Sequence, residues 1–172
     1  MKTRSVRLAA PAVGVERRAD GAIILRSPHA LGAYPAKLTE RLEHWARIAP
    51  DRVLFAQRAG SSWRTLTYLE ASRRARRVGA ALLAQRLSAD RPLVVLSGND
   101  LEHALLHLGA LYAGIPYAPV SPAYSLLSTD FLKLRSIFDL LTPGLVFVSQ
   151  KEPFHKALVH APRPAPPREP RR

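Results

Sequence analysis

Two histidines one helical turn apart are the residues in this chain best spaced to bind a metal ion. His103 and His107 can present both imidazoles on one side of a helix, and Glu102 is adjacent to them. A zinc-protease motif places the glutamate between its histidines, whereas here the glutamate precedes both. Since no third ligand can be identified, a histidine pair on the flank of a helix is the favoured interpretation. No metal-binding residue is assigned.

A serine at the end of an apolar run has the position of a hydrolase nucleophile. Ser97 follows LVVL, and hydrolases place their catalytic serine on a sharp turn between a strand and a helix. That turn needs glycine two residues before and after the serine, where this chain has Val95 and Asn99. Acyl-transfer hydrolysis is therefore disfavoured. The sequence has no cysteine, which excludes disulfides and cysteine nucleophiles.

Phosphate binding would need a turn with several glycines, whose amides approach the phosphate, commonly followed by a lysine. Gly60 precedes two serines and a tryptophan, whereas Gly98 and Gly144 stand alone. None of the five lysines follows a glycine-rich turn. The sequence therefore contains no recognisable phosphate loop.

Basic residues exceed acidic residues by 26 to 13, a net charge of +13. The run RRARR, Arg73–Arg77, is able to contact phosphates, but it lacks interleaved aromatic residues and is typical of a solvated helix face. The middle of the chain, residues 35–150, has fourteen basic and nine acidic residues, so the two ends carry more than half of the excess. Nucleic acid is thus a disfavoured partner, and a basic module that binds nucleic acid or protein remains the alternative.

A proline at every third position stiffens the segment Gly114–Ser125. Pro116, Pro119 and Pro122 predict an extended passage, because proline fixes φ and removes a backbone donor. Exposed PxxP ligands usually lie in polar surroundings, whereas this segment has apolar flanks. The favoured interpretation is a short buried strand, Ile115–Ala118, that leaves its sheet at Pro119.

Length and composition indicate one globular domain in a soluble, cytoplasmic protein. The 172 residues are 47% hydrophobic, enough to form one core. No stretch reaches the roughly 18 to 20 apolar residues that span a bilayer, and the N-terminus lacks a good signal-peptide pattern. No membrane partner is expected.

The first half of the chain is predicted to form a hairpin, a helix, a strand pair and a second helix. Asp20-Gly21 is a hairpin turn between residues 13–17 and 22–26. Helical spacing in AKLTERLEHWARIAP is followed by the antiparallel strands DRVLFAQR and SSWRTLTY. Thr67 and Glu70 form a capping box that begins the helix YLEASRRARRVGAALLAQRL.

From residue 91 onward strands and helices alternate. RPLVVLS and LVFVS are typical of strands buried on both faces, and FLKLRSIFDLL of an amphipathic helix. The helix Asp100–Ala113, capped by Asn99 with Glu102, is apolar nearly all round and is expected to lie between two layers. These elements predict an α/β fold with a mainly parallel sheet, right-handed crossovers and flanking helices, plus the N-terminal hairpin.

Both ends are predicted to be disordered. Residues 1–13 precede the hairpin, and residues 151–172 contain six prolines with no apolar periodicity after Val159.

Two segments resemble core motifs of the adenylate-forming superfamily, which includes acyl- and aryl-CoA ligases, luciferases and peptide-synthetase adenylation domains. LTYLEA, Leu66–Ala71, with the basic helix after it resembles the first core motif, and LGALYAGIPYAPVSPAYS, Leu108–Ser125, resembles the second. More narrowly, three segments are similar to feruloyl-CoA synthetase and its hydroxycinnamate-CoA ligase relatives: LTERLEHWARIAPDR, LSGNDLEHALLHLGALYAGIPYAPVSPAYSLLS and KLRSIFDLLTPGLVF. The resemblance covers roughly Gly14–Val148, and it implies that residues 14–150 are a partial N-terminal subdomain of the ligase's large domain.

Such ligases activate a carboxylic acid with Mg-ATP to an acyl-adenylate and pyrophosphate, then transfer the acyl group to coenzyme A. The resemblance implies that their phosphate loop, magnesium and adenine segment, ribose-binding aspartate and C-terminal lysine all belong beyond residue 172. No catalytic or cofactor-binding residue is therefore assigned, and this chain alone is expected to bind none of the family's cofactors, ATP, Mg and coenzyme A.

The resulting hypothesis is an N-terminal fragment of a feruloyl-CoA synthetase-like enzyme of phenylpropanoid degradation, inactive alone and produced by a truncated or frame-shifted reading frame. Its expected partner is the rest of the ligase, if that part is separately encoded. Apolar surface and strand edges are expected to be exposed in it.

Overall fold

The computed structural model describes residues 12–162 and residue 166. The chain divides into two compact units, residues 1–35 and 36–172. The first unit contains an antiparallel hairpin of β1, Gly14–Arg17, and β2, Ile23–Arg26. Its turn includes Gly21 at a φ of 86°, which glycine adopts without a steric penalty. The predicted hairpin is confirmed.

The second unit begins with α1, β3, β4 and α2, as predicted. Their bounds are Leu38–Ile48, Val53–Ala59, Ser62–Thr67 and Tyr68–Leu83, and the two strands pair antiparallel. The capping box at the start of α2 is confirmed: Thr67 Oγ1 accepts from the Glu70 N–H at 3.2 Å, and Glu70 Oε2 accepts from the Thr67 N–H at 2.9 Å. Each side chain thus satisfies a backbone donor that the helix leaves without a partner.

A three-stranded parallel sheet forms the rest of the unit, in the order β6-β5-β7. The elements in chain order are β5 Leu93–Leu96, α3 Leu101–Ala113, β6 Tyr117–Pro119, α4 Ala123–Leu126, α5 Leu132–Leu141, β7 Leu145–Val148 and α6 Lys151–His160. The predicted α/β fold is confirmed. Pro119 lies on the edge strand β6, where a missing backbone donor is tolerated.

The central strand β5 divides the core into two layers. Val94 and Leu96 face a cluster with Phe131, Leu134 and Phe138 around α5. Leu93 and Val95 face the opposite cluster, which includes Leu106 and Ala110 of α3. On its other side α3 contributes Leu101 and Leu105 to a third cluster with α1 and β4. The prediction that this helix lies between two layers is therefore confirmed.

Helices α2 and α3 cross at a pair of glycines. A Cβ atom on Gly79 would lie 2.9 Å from the Gly109 carbonyl oxygen, and one on Gly109 would lie 2.5 Å from Val78 Cγ1. Both contacts are closer than real Cβ atoms approach, so the two backbones pack at a distance that only glycine permits.

The predicted cap of α3 is wrong by one residue. The helix begins at Leu101, and its N-cap is Asp100, whose carboxylate accepts from the His103 N–H at 2.7 Å. Asp100 has the extended backbone that an N-cap needs, so its side chain reaches the third amide of the helix, a role predicted for Asn99.

The predicted disorder of residues 151–172 is wrong for the first ten residues, which form α6. Phe154 and Ala157 of this helix are buried against the cluster around α5. This apolar contact offsets the unfavourable composition that motivated the prediction. The described residues do not include 1–11, 163–165 and 167–172. For these residues disorder stays a prediction.

Candidate functional site

Polar side chains follow two neighbouring strands at the carboxyl edge of the parallel sheet. Ser97 follows β5 and Ser149 follows β7. The chain runs from β5 through α3 to β6 on one side, then returns through α5 to β7 on the other. Open α/β sheets bind ligands in the crevice where strand order reverses in this way. The β5–β7 edge is therefore the position at which the fold favours a site.

A hydrogen-bonded cluster occupies this edge. Ser97, only 3% exposed, donates from Oγ to Asp100 Oδ2 at 2.9 Å, and the same Oγ lies 2.6 Å from Ser149 Oγ. Asp100 Oδ1 accepts from the His103 N–H. One carboxylate thus joins the ends of both strands to the first turn of α3.

The Asp100 carboxylate is held in its charged form. Burial is the largest single influence on its pKa and favours the neutral form. Three hydrogen bonds favour the charged form, and they come from Ser149, the His103 backbone and Ser97. With the charge of the His103 ring, they hold the pKa of the Asp100 carboxyl below its usual range.

Both ring nitrogens of His103 contact protein groups. Nδ1 lies 2.9 Å from the Gly98 carbonyl oxygen, and Nε2 contacts the Tyr117 hydroxyl. Because a carbonyl only accepts, the neutral ring carries its proton on Nδ1 and accepts the Tyr117 proton at Nε2. Burial, together with the charge of Asp100, raises the pKa of Tyr117 to about 12. Tyr117 therefore stays protonated at physiological pH.

His107 stacks on the other side of this contact. Its ring lies 4.7 Å from the Tyr117 ring, centroid to centroid, at an angle of 28°. Burial, with the charge of His103, lowers the pKa of His107. His103 and His107 thus both contact Tyr117, His103 at the hydroxyl and His107 at the ring. Within the described part of the chain, no group of three or more His, Cys, Asp or Glu residues is placed to hold a metal ion.

A cavity of about 500 Å³ adjoins the cluster at the start of α3. Its apolar wall includes Leu38, Phe55, Leu101, Ala104 and Leu108. Its polar lining is Gln57, Asn99, Asp100, His103 and His107. Gln57 Oε1 accepts from the Leu101 N–H at 3.2 Å, so β3 supplies a second partner for the first amides of the helix.

Ser97 lacks the partners of a nucleophile. Its hydroxyl is buried and donates to a carboxylate, whereas an activated serine donates to an imidazole that can take its proton. In this arrangement the Ser97 hydroxyl contacts a carboxylate and a second hydroxyl, Ser149 Oγ.

The glycines do not form a cradle for phosphate. Gly60 lies in the β3–β4 turn at a φ of 60°. Gly144 packs closely on Leu87 and Arg91, since a Cβ there would lie 2.8 Å from Leu87 Cδ2. Gly98 is exposed at the sheet edge, with no second glycine in its loop. Gly60, Gly98 and Gly144 therefore lie in three separate loops rather than together in one phosphate loop.

The arginines of α2 are divided between two environments. Arg76 pairs with Glu43 at 2.7 Å and its guanidinium lies 5.0 Å from the Tyr112 ring centroid. Arg73, Arg74 and Arg77 are exposed on the outer face. Arg76 is thus engaged within the chain, although its side chain is also 58% exposed.

Sequence reasoning weighed Ser97 and the histidines separately and missed the cluster that joins them. Asp100, Ser149 and Tyr117 were not recognised as site residues. A usable signal was present, because a serine follows each of the two apolar runs that became neighbouring parallel strands. Their adjacency depends on strand order, which the sequence does not specify.

The sequence model of the AMP-binding enzyme family matches residues 42–167. The chain belongs to the AMP-binding enzyme family. This match extends from α1 through α6, so it includes the sheet, the α2–α3 pair and the cluster at the β5–β7 edge. The predicted membership of the adenylate-forming superfamily is confirmed at this level. A search of curated proteins found no significant match.

Several solved structures share the fold of this AMP-binding family member. A fatty acid AMP ligase from Legionella pneumophila has a TM-score of 0.59 and 21% identity, covering 67% of this chain and 20% of that chain. The inhibitor-bound N-terminal domain of FACL13 from Mycobacterium tuberculosis has a TM-score of 0.59 and 17% identity, and the match covers 74% of this chain and 31% of that one. The AMPPNP-bound nonribosomal peptide synthetase FmoA3 has a TM-score of 0.63 and 23% identity, and the match covers 80% of this chain and 14% of that one.

These identities establish the fold alone. The chain spans about a fifth of the length of the Legionella ligase, and its α/β layers are one part of the larger adenylate-forming fold. Among the described residues, no helix combines the length and apolar character needed to cross a bilayer.

Proposed function

We propose that this chain is the N-terminal scaffold of an AMP-dependent acid–CoA ligase that activates a hydroxycinnamic acid such as ferulate. The complete ligase would form an acyl-adenylate from the acid and ATP, then transfer the acyl group to coenzyme A. The observation that carries the proposal is the family match over residues 42–167, which spans nearly the whole second unit. The choice of a hydroxycinnamic acid rests on the resemblance of three long segments to feruloyl-CoA synthetase.

In this proposal the chain supplies structure rather than chemistry. Phosphate-transfer reactions need electrostatic stabilisation of the phosphates. Hydrogen-bond donors and bound metal ions, held in fixed positions by the protein, provide it. The sequence has no lysine after a glycine-rich turn, and the described glycines form no cradle. We therefore expect these residues to need the remaining ligase, as a second polypeptide or as further chain, to bind ATP, Mg and coenzyme A productively.

Reconstitution tests the proposal. The 172-residue chain is mixed with a polypeptide that carries the remaining part of a feruloyl-CoA synthetase, and ATP–pyrophosphate exchange is measured with ferulate. The experiment is repeated with the corresponding part of a long-chain fatty acid–CoA ligase and its fatty acid. Exchange that needs both polypeptides, and that is faster with the feruloyl-CoA synthetase part, is the expected result. Better complementation of the fatty acid ligase would contradict the hydroxycinnamate assignment, and no exchange with either part would contradict the scaffold role.

A matched variant separates specific complementation from a general effect of added protein. Gly109→Leu would force α2 and α3 apart, because even a Cβ atom at this position would lie 2.5 Å from Val78 Cγ1. This variant is expected to remove the exchange, whereas Gly98→Ala, at a position with no atom within 4 Å of the added Cβ, is expected to retain it.

A second candidate function, binding of nucleic acid, is favoured by Arg73, Arg74 and Arg77, which are exposed together on α2. Binding of a single-stranded DNA oligonucleotide would then weaken as salt is added. The slope of the logarithm of the binding constant against the logarithm of the salt concentration would fall in magnitude by roughly 0.7 for each phosphate-contacting arginine changed to alanine. A slope unaffected by the three substitutions would exclude α2 as the binding face.

A further inference from the structure

The cavity at the start of α3 is lined by both apolar and polar side chains. Phe55, Leu101 and Leu108 are among its apolar residues, and its polar residues are Gln57, Asn99, Asp100, His103 and His107. Its volume of about 500 Å³ falls within the range of roughly 300 to 1,000 Å³ that small-molecule sites occupy. It also borders the β5–β7 edge, where α/β sheets bind ligands. Size and position therefore both favour a small organic ligand.

The charge of the lining restricts the class of ligand. Of the described residues that line the cavity, Asp100 is the one carboxylate, and neither Lys nor Arg is among them. Arg64, whose charge interacts with that of Asp100, is already paired with Glu102 at 2.5 Å. The lining also contains two histidines: both ring nitrogens of His103 already contact protein groups, and burial lowers the pKa of His107. A ligand carboxylate would therefore meet the Asp100 charge without a Lys or Arg partner in the lining, whereas a cationic group would be attracted.

Asp100 retains capacity to accept another hydrogen bond. A carboxylate offers about four acceptor positions, and Ser97, Ser149 and the His103 amide account for three. The dipole of α3 would favour an anion at this end, but Asp100 and Gln57 already bind two of the first amides. The negative charge of Asp100 is a full elementary charge and the positive charge of the helix N-terminus is roughly half of one, so the net charge at this end of α3 is negative.

We propose that this cavity binds a small primary amine with an apolar body, its ammonium group at Asp100 and its body between Phe55 and Leu108. Such a ligand has the opposite charge to the carboxylic acid that the proposed ligase would activate. The cavity is therefore a separate site, and its occupancy does not depend on acid activation.

Two probes that differ mainly in the charge of the head group test this proposal. Phenethylamine and phenylpropionate carry the same phenylethyl body, one ending in an ammonium group and the other in a carboxylate. Binding to the 172-residue chain is measured by calorimetry at neutral pH and low salt. Phenethylamine is expected to bind at least about tenfold more tightly, and equal or tighter binding of phenylpropionate would overturn the proposal.

Variants locate the binding. Asp100→Asn keeps a good N-cap and is expected to weaken amine binding about tenfold, whereas Asp139→Asn, an exposed carboxylate on α5, is expected to leave it unchanged. Ala104→Phe fills the cavity without changing the cap and is expected to remove binding. Amine binding that survives both Asp100→Asn and Ala104→Phe would place the ligand elsewhere and contradict the proposal. None of these measurements uses ATP, so their failure is distinct from a failure of the proposed function.

Discussion

Asp100 has two roles at the scale of single residues: it caps α3 and it holds the ends of β5 and β7 together. Its charge strengthens both, because the carboxylate accepts hydrogen bonds from both serines and from the His103 amide. Ser97 and Ser149 would otherwise place hydroxyl groups at a buried sheet edge with poorer partners. We infer that the cluster stabilises the edge chiefly through this one side chain.

The lowered pKa of Asp100 predicts a pH-dependent contribution to stability. Since the folded-state pKa lies below the ordinary value of 3.8, the contribution is complete above that value and is lost as pH falls through the folded-state pKa. Asp100→Asn should therefore lower the free energy of unfolding by about 1 kcal/mol at pH 7. Denaturant unfolding at several pH values should show the difference between the wild type and the variant shrinking as the pH falls below 3.8 and through the folded-state pKa. A difference that stays constant until both proteins unfold in acid would contradict this role of the charge.

At the scale of elements, the α2–α3 crossing depends on two glycines that are thirty positions apart. Gly109→Ala should lower the free energy of unfolding by about 1 to 3 kcal/mol, because overpacking costs more than the roughly 1 kcal/mol that alanine gains over glycine in a helix. Chemical denaturation measures the change, with Gly98→Ala as the matched substitution at an open position. A stabilised Gly109→Ala protein would show that the helices separate more easily than their packing suggests.

Helix α6 makes a second prediction at this scale. Phe154 is 4% exposed and packs with the cluster around α5, so Phe154→Ala should cost about 3 to 5 kcal/mol of stability. Val159 on the same helix is 65% exposed, and Val159→Ala should change stability by less than about 0.5 kcal/mol. Equal effects of the two substitutions in thermal or denaturant unfolding would mean that α6 does not dock on the sheet.

These elements show how far the sequence specifies the fold. The strands, the helices α1 to α3 and α5, and the capping box follow from local patterns: alternation, helical spacing and paired capping residues. Helix α6 was missed because its composition is rich in polar residues and its stability comes from burying Phe154 and Ala157 against distant residues. The glycine crossing and the Ser97–Asp100–Ser149 cluster were missed for the same reason. Each is formed by residues that only the tertiary structure brings together.

At the scale of the whole molecule, a three-stranded sheet carries most of the core. Strands β6 and β7 are its edges, and leucines are exposed on the helices beside it, with Leu140 82% and Leu132 63% exposed. Among the described residues, β6 and β7 each have a strand partner on one side only, and apolar side chains are exposed, as the sequence predicts. Poor solubility of the isolated chain stays a prediction. These surfaces suit the proposed scaffold role, in which the rest of the ligase would cover them.

ATP–pyrophosphate exchange by the purified 172-residue chain tests the central claim most directly. The assay supplies Mg-ATP, labelled pyrophosphate and ferulate, with a complete acid–CoA ligase as the positive control. A scaffold that lacks a glycine cradle for the triphosphate should give no exchange above the rate without protein. Acyl-adenylate formation by the chain unaided would contradict the account.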